Sequence, residues 1–105
     1  MNTQPEQKEI WIALANVSVD RINSSIDNAN YAYVTVVGIA KQRMDFEEKI
    51  KKELYKLGFT LLTLEDVDRY DDRIKGFKVG EGVVSLVKEL NTNEDIKFST
   101  FHTYD

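Results

Sequence analysis

The sequence predicts an α+β fold, a single domain in the order ββαβαβ with a four-stranded mixed sheet and two helices on one face. Three observations carry this reading. Residues 10–19 and 31–40 are β-type runs with period-two alternation. Residues 46–57 and 83–90 space their apolar residues three and four apart, as one face of a helix requires. Segments 60–67 and 96–104 then return to β-type composition. Two helices can cover only one face of such a sheet, so the other face is left open.

In the first strand Ile10, Ile12 and Leu14 alternate with Trp11, Ala13 and Ala15, and Val17 and Val19 continue the second series, so both faces are apolar. Asp20 to Asn30 is rich in Asn, Ser and Asp, which favour turns by bonding nearby backbone, and it reads as a long hairpin loop. The second strand places Tyr31, Tyr33, Thr35, Val37 and Ile39 on one face and Ala32, Val34, Val36, Gly38 and Ala40 on the other. Gly38 marks packing space beneath a helix in preference to a bulge.

Phe46, Ile50, Leu54 and Leu57 form the first helix stripe, opposite Lys49, Lys52, Glu53 and Lys56. Asp45 with Glu48 resembles a capping box at its start, and Gly58 can stop it in the left-handed conformation. Thr60 to Val67 is the third strand, with Leu62 and Leu64 on one face and Leu61 and Val67 on the other; strand, helix, strand fits a right-handed crossover joining parallel strands. Asp68 to Gly80 reads as a loop with one helical turn around Arg69 to Ile74. Val83, Leu86, Val87 and Leu90 give a second helix. Ile96 to Tyr104 is the last strand, with Ile96, Phe98, Thr100, His102 and Tyr104 on one face.

Composition narrows the function classes. With 105 residues, 42% hydrophobic and 30% charged, residues 10–105 can bury one core, while the polar start, residues 1–9, reads as a disordered tail. The absence of cysteine removes thiolate chemistry and disulfides and, with no signal-like start, points to a reducing, cytoplasmic setting. No apolar run approaches the length of a membrane span. A net charge of −4 disfavours nucleic acid as partner.

No catalytic constellation is legible. His102 is the only histidine, and no nucleophile turn accompanies it. Glu65, Asp66, Asp68, Asp71 and Asp72 lack the spacing of a calcium loop and read as a solvated acidic loop, so neither a metal nor a cofactor is expected. Gly80 and Gly82 lack the third glycine of a dinucleotide loop. The basic residues around the first helix read as a solvated face laced with ion pairs. The open sheet face should carry some of Trp11, Tyr31, Tyr33, Phe98, Phe101 and Tyr104, where a partner or a second copy would dock.

Leu57-Gly58-Phe59, the run Leu61 to Val67 and the ending Phe101-His102-Thr103-Tyr104 resemble those of a group of short bacterial proteins with no established activity, over about residues 31 to 105. The resemblance implies a bacterial or mobile-element origin and no catalytic residue. The expectation is a non-enzymatic interaction protein of immunity or accessory type, a homodimer, binding through Trp11, Tyr31, Tyr33, Phe98, His102 and Tyr104 or through the acidic Glu65 and Asp68. The alternative is a small-molecule or enzymatic pocket between the sheet and residues 68–80, with His102, Tyr104 and Glu65 as its nearest chemistry.

Overall fold

A computed structural model describes residues 8–19, 30–76, 78–91 and 93–104. β1 (Glu9–Val19) and β2 (Tyr31–Ala40) pair antiparallel, in register from Glu9 opposite Ala40 to Ser18 opposite Tyr31. The expected hairpin loop, Asn30 apart, and the expected tail through residue 7 lie outside the described residues. α1 (Arg43–Lys56) follows β2, and β3 (Phe59–Arg69) then pairs antiparallel with the other edge of β1. β2 and β3 therefore run parallel, as the crossover predicts, but with β1 between them. α2 (Tyr70–Gly76), α3 (Glu81–Glu89), β4 (Ile96–Phe98) and β5 (His102–Tyr104) complete the chain.

The α+β class holds, with differences in detail. Among the described residues the sheet has five strands in the order β3-β1-β2-β4, with β5 following β4 along the same edge of β2. All its pairs are antiparallel, so it is not mixed. The described residues form three helices, because Tyr70 to Gly76 is a short helix where one turn within a loop is expected.

The core lies between α1 and one sheet face. Ala13, Ala15 and Val17 of β1 and Ala32, Val34 and Val36 of β2 meet Phe46, Ile50 and Leu54 of α1, all buried. Small and branched sheet residues leave room for the larger helix residues, which gives dense packing without large side chains on both sides. Gly38 shows the limit of this space: a Cβ there would lie 2.8 Å from Phe46 Cε1 and overlap Ile96 Cδ1. Trp11 belongs to the same face, stacked on Phe46 with ring centroids 6.3 Å apart and its Nε1 donating to the Ala40 carbonyl at 3.2 Å.

The helix begins earlier than its apolar stripe suggests. Gln42 is the N-cap without a side-chain capping bond, and Asp45 stands in the first turn, so the expected Asp45–Glu48 capping box is not formed. A carboxylate in the first turn still interacts favourably with the helix dipole. The helix stops as expected at Gly58, whose φ of 87° is accessible to glycine without penalty.

The second face is not bare throughout. Ile12 and Val37, opposite one another there, are as deeply buried as the core. α2 packs on β1 and β3, and α3 on β2 and β4, covering this end. Arg73 of α2 donates to the Asp68 carboxylate through Nε at 2.9 Å and Nη2 at 2.7 Å, and Asp68 pairs with Ile12. The helices thus lie on both faces, where two on one face are expected. The cause is the double apolar series of β1 and β2, which requires cover on both sides.

Irregular strands move several side chains from their expected faces. β3 carries two extra residues relative to β1, between the partners of Ile12 and Leu14 and of Asn16 and Val17. Each extra residue shifts the alternation by one. Leu61, Leu64 and Val67 consequently all reach the core at intervals of three, while Leu62 is 48% exposed. Asp66, with φ of 52°, lies within the first of these irregularities. The C-terminal strand is likewise broken. Phe98 pairs with Val36 and His102 with Tyr33, so three residues on one strand span two on the other. Ser99 anchors the break, its N–H donating to the Thr35 carbonyl and its Oγ accepting from the Thr35 N–H, each at 2.9 Å.

Candidate functional site

The break between β4 and β5 decides which aromatic residues stay exposed. Before it, Ile96 and Phe98 pack toward α1; after it, Phe101 still does, stacking on Phe59 with centroids 4.5 Å apart. His102 and Tyr104 then fall on the second face, at the end that α2 and α3 leave uncovered. There Thr63, Asn16, Tyr33 and His102 form a row across four strands, one residue from each. The next row holds Thr60, Ser18, Tyr31 and Tyr104.

Tyr104 organises the site. Its ring stacks between those of Tyr33, at 4.8 Å, and Tyr31, at 5.4 Å, and its hydroxyl donates to Asn16 Oδ1 at 2.6 Å. The three rings are therefore held in place by one another and by an amide from β1, two strands across the same sheet face. Tyr31 and Tyr33 remain 38% and 40% exposed. The surface can offer flat apolar area and phenolic hydrogen bonds, with the exposed His102 and Glu65 at its margin.

The Tyr33 phenol is pushed above its ordinary 10.0, first by its hydrogen bond with Tyr104, then by the charge Tyr104 would carry, by partial burial and by Glu65. The folded protein holds this proton more tightly than the unfolded chain. The resulting stabilisation is complete below the ordinary value and is lost as pH rises through the raised one. An ultraviolet titration should show a late tyrosine ionisation that disappears in Tyr33→Phe. If the variant retains that late step, the assignment to Tyr33 fails.

The structure divides the expected site residues. Tyr31, Tyr33, His102, Tyr104 and Glu65 gather on the open half of the second face. Trp11, only 8% exposed, lies with Phe98 on the face covered by α1, which corrects their expected place among the docking residues, and Phe101 lies on that covered face too. Asp68 is engaged by Arg73 at the covered end. The strip between the sheet and residues 68–80, expected to hold a pocket in the alternative reading, is where α2 packs on β1 and β3. Among the described residues no three acidic or histidine side chains converge as metal ligands. None of the helices described there is long and apolar enough to cross a membrane.

Sequence reasoning misses Asn16. Its signal is present, an amide within the otherwise apolar run Ile10 to Val17, and a polar side chain in such a run calls for a partner. No protein-family profile matches the chain, and searches of curated proteins and of solved structures find no significant match.

Proposed function

We propose that the chain is a non-enzymatic interaction protein whose tyrosine-bearing half-face docks a protein surface, in the first instance that of a second copy. The observation that carries this reading is the fixed stack of Tyr31, Tyr104 and Tyr33, left exposed at the end of the sheet that the helices do not reach. Rings already ordered lose little side-chain entropy on binding, and tyrosine is enriched where interface cores exclude water. A two-fold pairing would place the same rows of both copies against each other and cover both exposed faces at once.

Sedimentation across micromolar concentrations tests this. A concentration-dependent dimer that Tyr33→Glu converts to monomer, with helix content unchanged, is the expected result. A wild-type chain that stays monomeric throughout the range would end the self-association reading.

A further inference from the structure

We infer that α1 carries a second binding site, for single-stranded nucleic acid, independent of the tyrosine face. An open groove of about 1090 Å³ runs along this helix beside Lys8 and Ala40. Lys8, Lys41, Lys49, Lys51, Lys52 and Lys56 line it with Asp45 and Glu48, and Asp95 and Glu53 pair with two of these lysines, which leaves a local excess of two positive charges on a chain whose net charge is −4. Interactions between exposed charges fade beyond about 8–10 Å at physiological salt, so a ligand in the groove meets these lysines rather than the chain's average.

The lysines are not all committed within the protein. Lys49 is held by the Ile39 carbonyl at 2.8 Å and by Asp95 at 2.6 Å, while Lys51 and Lys56 make loose pairs with Glu48 and Glu53 at 3.9 and 3.4 Å. Among the described residues Lys8, Lys41 and Lys52 have no ion-pair partner. Lys41 stands just before the helix, and Lys49, Lys51, Lys52 and Lys56 follow over about 10 Å of its axis at the helical rise, enough to meet neighbouring phosphates. Lysines without arginine recognise charge rather than the planar fork of one particular acceptor, which fits a repeating phosphate backbone.

Tyr55 selects among polyanions. It is 82% exposed and lines the groove with Lys51, Lys52 and Lys56 beside it. An aromatic ring among lysines is the arrangement on which an unpaired base stacks while its phosphates meet the ammonium groups. A duplex keeps its base faces inside, and a run of Asp or Glu supplies no ring to stack.

Fluorescence anisotropy with a labelled oligothymidylate tests the proposal on the whole chain. Binding should be saturable at low salt and weaken as salt rises, with a logarithmic slope of about 0.7 for each lysine that meets a phosphate. Lys41→Glu/Lys52→Glu should abolish binding. Tyr55→Ala should weaken it about tenfold. Tyr33→Glu, on the opposite sheet face, should leave it unchanged. Circular dichroism of each variant checks that the fold persists. No binding by the wild-type chain overturns the proposal. Displacement by polyglutamate as efficient as by unlabelled oligonucleotide would assign the groove to an acidic protein segment instead. Equal affinity for duplex, with no effect of Tyr55→Ala, would reduce it to unspecific charge.

Discussion

Phe46→Ala is expected to destabilise the protein by about 3–5 kcal/mol, the range for truncating a buried aromatic ring. The ring is fully buried, stacks on Trp11 and lies against Gly38. Its neighbours cannot close the gap cheaply, because the sheet beneath it is built from short side chains at Ala13, Ala15 and Ala32 and from the bare backbone of Gly38. Against a total of about 5–15 kcal/mol for a domain of this size, the loss takes a large part of the stability. Urea unfolding measures it, and the melting temperature should fall by more than about 10 °C. A loss below about 1 kcal/mol would mean that α1 is not the element that closes this core. Tyr55→Ala, on the outer side of the same helix, should by contrast be nearly neutral for stability, since its ring is exposed.

The sequence made the regular elements legible and hid the irregular ones. The apolar stripe of α1 and the alternation of β1 and β2 each record a single burial pattern over ten or more residues, long enough for periodicity to identify the element. β3 has no such single pattern. Its two extra residues turn an alternating series into one with core residues at Leu61, Leu64 and Val67, a spacing that period-two reasoning assigns to both faces. The break after Phe98 has the same effect and explains why Phe98 and His102, expected together, stand on opposite faces. An extra residue in a strand leaves no compositional mark when the residues concerned are Ser99, Thr100 or Leu62.

The candidate site was legible in its chemistry more than in its membership. Tyr31 and Tyr33 on one exposed face follow from alternation within one strand, whereas counting two helices on a single face predicts that whole face bare and α2 and α3 cover one end of it. Trp11 and Phe98 are expected with these tyrosines because large aromatic rings suit both cores and interfaces, and only the register tells which they serve. Ile12, Leu14, Val37 and Ile39 are apolar on the same face as the tyrosines, and such a patch requires cover at that end. The lysines of α1 were visible as a composition but not as a groove, since Lys8 and Lys41 join them only through the packing of β1 and β2 beside the helix.

Gly38→Val is expected to destabilise the protein even though it places a strand-favouring residue in the middle of a strand. Valine in place of glycine offers at most about 1 kcal/mol of β preference. Overpacking a well-filled core costs about 1–3 kcal/mol. The steric term wins here because the first added carbon already lies 2.8 Å from the Phe46 ring and on top of the Ile96 methyl, before either γ-methyl is placed. Both neighbours belong to the interior, Phe46 fully buried and Ile96 packed on the core, so neither can swing into solvent. A companion substitution supplies the decisive test. Phe46→Leu alone should be destabilising, because it opens space beside Gly38. Combined with Gly38→Val, the same substitution gives the new methyl groups that space. The double variant should therefore be more stable than the sum of the two single effects predicts, by about 1 kcal/mol, as measured by urea unfolding of all four proteins. If the two losses instead add to within about 0.5 kcal/mol, the strain at residue 38 is not relieved through Phe46, and Ile96 is the neighbour that sets the limit.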